Sequence, residues 1–182
     1  MMNRLLFLLV LFLPLMASAQ DTTEQESPTR GEYVLAPGDS IQVRVYGEDD
    51  LSMKLAVPVS GGVEYAFVGR LELAGKTVAD LREEIYQLLL GDYLVKPRVS
   101  VTVAKYRDFY VYGEVRRPGS YAWEPGMTIL KVIILAGGLK ERASGSKWYL
   151  VPEGGTENDR IKVNGHYALR PGDTLTIEQS FF

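Results

Sequence analysis

Residues 36–43 read Ala-Pro-Gly-Asp-Ser-Ile-Gln-Val, and residues 170–177 read Arg-Pro-Gly-Asp-Thr-Leu-Thr-Ile. In both copies proline sets φ at the second position of a turn, and glycine accepts a positive φ at the third. The alternating apolar residues that follow are typical of a half-buried strand. We therefore predict that each copy is a turn that starts a strand. Asp39 and Asp173 are expected to hydrogen-bond within these turns rather than to act as catalysts.

The rest of the chain alternates between short strands and two helices. Thr77 and Asp80 form a capping-box pattern that predicts a helix over residues 77–90. A compact apolar run predicts a short buried helix over residues 128–136, and Asn164-Gly165 predicts a tight hairpin between strands at 161–163 and 166–169. Other strands are predicted at 56–68 (with a turn at Gly61-Gly62), 71–73, 99–103, 109–115, 147–151 and 175–177. This order predicts an α+β fold of two small domains, residues 32–105 and 106–182.

The N-terminus has the pattern of a secretory signal peptide. Arg4 supplies a positive charge, residues 5–16 are almost wholly apolar, and Ala17-Ser18-Ala19 fits the small-residue cleavage pattern. A membrane-spanning helix would need about 20 apolar residues, and this run is shorter and contains Pro14. We expect cleavage after Ala19, followed by a flexible linker over residues 20–31.

Composition excludes several classes of chemistry. The chain has no cysteine, one histidine (His166) and a formal net charge of −3. Lipoprotein acylation, disulfides and the usual zinc sites are therefore ruled out, and a nucleic-acid partner is disfavoured because no basic face is evident. Glu48-Asp49-Asp50 is interpreted as a solvated loop rather than a metal site. We predict no catalytic residue, no metal and no cofactor, and hence no enzyme activity.

A glycine-rich stretch at residues 69–77 resembles a phosphate-binding P-loop but departs from it. Five residues separate Gly69 from Gly75, where the P-loop has four, so the backbone N–H groups would not converge in the same way. We interpret the stretch as a strand, a glycine turn and a helix capped by Thr77.

Aromatic residues are concentrated in the second domain. Tyr and Trp suit subunit interfaces and the faces of sugar rings, and they are also common in half-buried strands. The candidates for sugar or subunit contacts are Tyr110, Tyr112, Tyr121 and Trp123, with a place in the core or at a subunit interface favoured over a sugar contact.

The ordered motifs resemble a known family. Residues 33–43, 57–69, 75–77 and 96–101 resemble the polysaccharide biosynthesis/export domain, and residues 111–121, 126–130, 136–139 and 171–173 resemble an SLBB domain, a β-grasp module. The residues that carry the motifs are structural turn positions: Pro37, Gly38, Asp39, Gly113, Pro118, Gly119, Gly137, Gly138, Pro171, Gly172 and Asp173.

The resemblance implies a Wza-like outer-membrane polysaccharide export protein. It implies a homo-oligomeric ring in the periplasm that conducts capsular or extracellular polysaccharide, above an inner-membrane co-polymerase that is often linked to a tyrosine kinase. The chain lacks the lipid-bearing cysteine and C-terminal membrane helix of larger relatives, so we expect a short form associated with the outer membrane through partners, with a separate β-barrel completing the route. Phe181-Phe182 is either a docking tip or a frayed apolar end. The alternative function is a periplasmic adaptor or sensor that binds a soluble ligand through its SLBB domain.

Overall fold

The computed structural model describes residues 33–180, so the predicted signal peptide, the linker and Phe181-Phe182 lie outside the described residues. Two separate hydrophobic cores organise this part of the chain, one formed before Lys105 and one after Asp108. The predicted α+β class is confirmed, because two helices pack against several small sheets. Between residues 33 and 180, neither helix has the length and apolar character needed to span a membrane.

The first unit is built from a three-stranded antiparallel sheet, a hairpin and a helix. The sheet has the order β2-β1-β5, and the hairpin joins β3 to β4. The elements are β1 (Ser40–Val45), β2 (Glu48–Ala56), β3 (Gly62–Tyr65), β4 (Gly69–Glu72), α1 (Val78–Leu89) and β5 (Val99–Lys105).

Helix α1 begins where the sequence predicts. The Thr77 hydroxyl accepts from the Asp80 N–H at 3.1 Å, and the Asp80 carboxylate accepts from the Thr77 N–H at 3.1 Å. This reciprocal pair satisfies two N–H groups at the helix start. Leu81, Ile85 and Leu89 are buried at helical spacing and fix the helix against the sheet.

The second unit contains a five-stranded mixed sheet of order β7-β6-β10-β8-β9. The central strand β10 runs parallel to β6, which requires a long crossover connection rather than a hairpin. The elements are β6 (Phe109–Gly113), β7 (Gly119–Tyr121), α2 (Ile129–Leu135), β8 (Ala143–Val151), a 3₁₀ turn (Glu157–Asp159), β9 (Ile161–Lys162) and β10 (Thr174–Gln179).

Helix α2 lies where it is predicted, but it is not fully buried. Its inner face consists of Ile129, Val132 and Ile133. Its outer face exposes aliphatic side chains to solvent: Leu130, Ile134 and Leu135. A seven-residue helix that packs on one side of a sheet can bury only one stripe, whatever the hydrophobicity of the other stripe.

Two other predictions are wrong. Glu48-Asp49-Asp50 is the exposed start of edge strand β2 and not a loop. The predicted turn between two strands at 56–68 is present, since β2 ends at Ala56 and β3 begins at Gly62. Asn164-Gly165 does not close a hairpin, because the segment after it hydrogen-bonds to the start of α2: Ile129 N–H donates to the Tyr167 carbonyl at 3.1 Å. Strand β9 pairs with β8 instead.

Candidate functional site

Asp39, in the first Pro-Gly-Asp turn, is fully buried. Its Oδ2 accepts from the Ala36 N–H at 2.9 Å, which closes the turn. The Tyr33 hydroxyl also lies within 2.8 Å of both carboxylate oxygens. A buried carboxylate needs such donors because it has lost its water. The turn interpretation of this residue therefore agrees with the geometry, but it omits the partner described next.

Arg107 connects this turn to the second unit. Its backbone N–H donates to Asp39 Oδ1 at 2.7 Å, and its Nη1 donates to Asp39 Oδ2 at 2.8 Å. Its Nε donates to Glu153 Oε2, on the other unit, at 2.8 Å. The Arg107 side chain is only 14% exposed, whereas Glu153 is 43% exposed. We call this set of residues, Tyr33, Asp39, Arg107 and Glu153, the junction cluster.

The charges of the junction cluster stabilise one another. Burial raises the pKa of the Tyr33 hydroxyl, and its hydrogen bond to Asp39 raises it further. Burial works against the charged form of Arg107, but the hydrogen bond to Glu153 and the nearby negative groups raise its pKa overall. Arg107 therefore stays cationic and balances the buried carboxylate of Asp39.

Asp173, in the second Pro-Gly-Asp turn, has a different environment. Its Oδ2 accepts from the Arg170 N–H at 2.8 Å, the same turn hydrogen bond as in the first copy. Within residues 33–180, no side chain donates a hydrogen bond to it, and burial raises the pKa of its carboxyl. The two sequence copies thus share a turn but not an ion pair.

An aromatic chain runs beside the junction cluster. Tyr106 packs edge-on against Tyr33, with ring centroids 4.8 Å apart, and against Trp123, with centroids 4.7 Å apart. Trp123 Nε1 donates to the Leu169 carbonyl at 2.7 Å, as expected for an indole with limited exposure. Trp123 is therefore a packing residue where the two units meet.

The remaining three candidate aromatics divide between the two faces of the second sheet. Tyr121 packs on the inner side against Phe109, with centroids 5.8 Å apart. Tyr110 and Tyr112 point to the opposite side and are 52% and 69% exposed. The strand registers place Thr174 beside Tyr110 and Thr176 beside Tyr112.

The outer surface continues across neighbouring strands. Ser120 pairs with Tyr110 on one side, and Tyr149 pairs with Thr176 on the other. We call the six hydroxyl-bearing residues on this side of the sheet the tyrosine face: Tyr110, Tyr112, Ser120, Tyr149, Thr174 and Thr176. Charged residues lie at one edge of this face: Lys162 pairs with Tyr149, and the Arg160 guanidinium stacks over the Tyr149 ring at 4.2 Å and is ion-paired with Glu178.

The glycine-rich stretch at residues 69–77 forms a strand, a turn and a capped helix. Gly75 has a φ of +81°, and Thr77 caps α1. The Lys76 ammonium is held by an ion pair with Glu84, so it does not extend towards a phosphate position. His166 lies in an exposed turn, where its N–H donates to the Asn164 side chain at 2.9 Å. In the described part of the chain, no group of His, Asp and Glu side chains gathers as metal ligands would.

A shallow cleft of about 500 Å³ lies at the other end of the second unit. Its walls carry both signs of charge, and the lining residues are Glu114, Arg116, Leu139, Lys140, Glu141 and Arg142. Such a cleft can hold a small polar ligand, although Leu139 is the one apolar residue among the six that line it, whereas tight small-molecule sites are usually lined mainly by apolar residues.

Arg107 is a site residue that is not predicted from the sequence. It lies in the short segment between β5 and β6, beside the predicted boundary between the two domains at residues 105 and 106. No periodicity or motif marks an arginine in such a segment, and its partner Asp39 lies 68 positions earlier. The one available signal was the pair of aspartates in the Pro-Gly-Asp turns, Asp39 and Asp173. A buried carboxylate needs a counter-charge, and the short connection between the units is a place from which a cationic side chain could supply it.

Two family models match successive parts of the chain. The polysaccharide biosynthesis/export protein model matches residues 27–104. The SLBB domain model matches residues 109–158. The boundary between the two matches falls within the segment that contains Arg107.

Relatives with curated descriptions match across both units. The exopolysaccharide production protein ExoF of Rhizobium meliloti is 35% identical over 152 residues, covering 76% of this chain and 34% of ExoF. The polysialic acid transport protein KpsD of Escherichia coli is 29% identical, over 80% of this chain and 28% of KpsD. The EPS I polysaccharide export outer membrane protein EpsA of Ralstonia nicotianae is 28% identical, over 68% of this chain and 35% of EpsA. The chain thus spans about a third of the length of these relatives.

Proposed function

Because the chain belongs to the polysaccharide biosynthesis/export family and carries an SLBB domain after the export domain, we propose that it is a periplasmic component of a polysaccharide export channel. In this role it forms an oligomeric ring that conducts capsular or extracellular polysaccharide towards the outer membrane. The observation that carries the proposal is the ordered pair of domain matches, supported by the similarity to relatives that are described as polysaccharide export or production proteins.

The exposed apolar surfaces support subunit association. The outer face of α2 presents Leu130, Ile134 and Leu135 to solvent, and Ile134 is 66% exposed. Contiguous apolar surface on a small unit is typical of a protein interface. A ring requires contacts that repeat from one copy to the next around a closed circle. The junction cluster suits this arrangement because it holds the two units of each copy together.

The mechanism is conduction and not bond chemistry. The carboxylate of Asp39 is fully buried and is neutralised by Arg107, so this pair provides no free acid or base. The proposed partners are an inner-membrane polysaccharide co-polymerase, which can be linked to a tyrosine kinase, and a separate outer-membrane β-barrel. We propose that the chain itself reaches the periplasm through its signal peptide, which is cleaved after Ala19, and that it associates with the outer membrane through these partners.

A second candidate function is a periplasmic adaptor or sensor. The cleft lined by Arg116, Lys140 and Arg142 favours it, because these side chains form no ion pair within residues 33–180 and could bind an acidic ligand. Calorimetry with oligosaccharides prepared from the producing strain separates the two functions. Tight, saturable binding supports a sensor, whereas a conduit must bind its cargo weakly enough to release it.

The oligomeric state of the purified chain tests the ring. Native mass spectrometry and light scattering should give a discrete multiple of the 20.3 kDa chain mass, reduced by the signal peptide when the protein is isolated from the periplasm. An Ile134→Ser variant, which makes the exposed face of α2 polar, should shift the population towards monomers. A strict monomer at all concentrations, also with the co-polymerase present, would contradict the ring.

A further inference from the structure

The outer side of the second sheet is a regular surface of hydroxyl groups around aromatic rings. The registers place Ser120, Tyr110 and Thr174 in one row across β7, β6 and β10. A second row runs from Tyr112 through Thr176 to Tyr149 across β6, β10 and β8. Same-face residues along a strand are about 7 Å apart and neighbouring strands about 5 Å apart, so the rows form a flat platform.

The hydroxyl groups of this platform have no partner in the described part of the protein. Within residues 33–180, none of the six side chains of the tyrosine face makes a hydrogen bond. Four other tyrosines, in contrast, already use the hydroxyl as a donor to a protein oxygen: Tyr33, Tyr65, Tyr93 and Tyr121. Each free hydroxyl can both donate and accept a hydrogen bond.

We propose that the tyrosine face binds the pyranose rings of a polysaccharide chain, with Tyr110 and Tyr112 stacking on the sugars. The C–H face of a pyranose ring packs on the flat face of an aromatic ring, and its hydroxyls match the donors and acceptors of the serine, threonine and tyrosine side chains. Charged side chains lie at the β8–β9 edge of the platform, where Lys162 pairs with Tyr149 and Arg160 is ion-paired with Glu178. Tyr110 and Tyr112 lie on β6, two strands away from Tyr149, so we assign the ring faces of the sugars to them.

A second copy of the chain is a less suitable occupant. Serine and threonine are under-represented among the hot-spot residues of protein interfaces. On this face, four of the five strands would present polar hydroxyls to a second copy. The aliphatic surface that does suit a protein contact lies on the opposite side of this unit, at Leu130, Ile134 and Leu135, because α2 covers the inner side of the sheet. The tyrosine face therefore remains open to the cargo.

This inference rests on the proposed export role, and it is tested by native affinity electrophoresis. The gel contains the surface polysaccharide purified from the producing strain, and retardation of the protein measures binding. Tyr110→Ala/Tyr112→Ala should weaken binding about tenfold, as expected when two stacking rings are lost. Tyr110→Phe/Tyr112→Phe should weaken it less, because the rings remain. Tyr46→Ala is the matched control, since Tyr46 has the same exposure of 52% in the first unit.

Two further readouts make the outcome decisive. Raising the ionic strength should leave unchanged the difference in retardation between the wild type and Tyr110→Ala/Tyr112→Ala, because stacking of a sugar on a tyrosine ring involves no charge pairing. The mass of the Tyr110→Ala/Tyr112→Ala protein in solution should equal that of the wild type, and its circular dichroism should show a folded chain. Wild-type protein that is not retarded, or a double variant that is retarded equally, would overturn the assignment. A double variant of lower mass would assign the face to a second copy and would also overturn it. None of these results bears on whether deletion of the gene abolishes export.

Discussion

Replacement of Arg107 by methionine tests the junction cluster directly. The methionine keeps the apolar stem of the side chain but removes the guanidinium, which donates to Asp39 at 2.8 Å and to Glu153. Asp39 is fully buried, so its carboxylate is left without a counter-charge. Loss of one partner of a buried ion pair costs about 3–5 kcal/mol.

The structure places the expected loss at the low end of that range. Three donors remain on Asp39 in the variant: the Tyr33 hydroxyl, the Ala36 N–H and the backbone N–H of residue 107. The Arg107 side chain also keeps 14% exposure. We therefore expect Arg107→Met to lower the free energy of unfolding by about 3 kcal/mol. Glu153→Gln removes a partner that is 43% exposed and should cost about 1 kcal/mol or less.

Urea unfolding can follow the two units separately. Both tryptophans, Trp123 and Trp148, lie in the second unit, so their fluorescence reports on that unit. Helical circular dichroism comes mainly from the first unit, because α1 has 12 residues and α2 has 7. The wild-type transitions should coincide, and those of Arg107→Met should separate because the units are no longer coupled.

The control is Arg70→Met, which removes a short but exposed ion pair with Glu72. It should cost about 1 kcal/mol or less and leave the transitions coincident. If Arg107→Met matched this control in both respects, the junction cluster would not couple the units, and the reasoning would be refuted.

Three further predictions concern a close backbone contact, a helix cap and a buried carboxyl group. Gly113→Ala should destabilise the chain by about 3 kcal/mol or more, because Gly113 has a φ of +90° and a Cβ would lie 2.1 Å from the Ile177 carbonyl oxygen; an unchanged urea midpoint would refute this. Thr77→Ala removes the α1 cap and should cost about 1 kcal/mol, measured by thermal unfolding, with Thr77→Ser retaining most of the stability. Asp173→Asn tests a pKa raised by burial. A carboxyl whose folded pKa is raised contributes stability below its unfolded pKa and loses it as the pH rises through the folded pKa. The variant should therefore gain stability relative to the wild type as the pH rises from about 3 to about 7, and a pH-independent difference would contradict the assignment.

Local patterns predicted local structure well. The capping box at Thr77 and the two Pro-Gly-Asp turns depend on residues close in sequence, and all three have the predicted geometry. Strand β2 was missed because its first residues are charged and lie on an exposed edge, so the hydrophobic alternation is weak there. The hairpin at Asn164-Gly165 was wrong because a long-range contact with α2 overrides the local turn preference.

In the candidate sites too, local features were predictable from the sequence and long-range contacts were not. Alternation along β6 is enough to predict that Tyr110 and Tyr112 share a face, and the structure exposes both. Nothing in the sequence shows that Thr176 and Tyr149 extend that face, because strand order and register are long-range properties. For the same reason Arg107 could not be assigned to Asp39 from sequence alone.

The export role itself is tested most directly in the producing strain. The gene is deleted, and surface polysaccharide and lipid-linked repeat units are measured side by side, with a plasmid copy of the wild-type gene as the control. We predict that surface polysaccharide is lost while repeat units are still made, and that the plasmid restores export. A deletion strain with a normal amount of surface polysaccharide would contradict the proposed function.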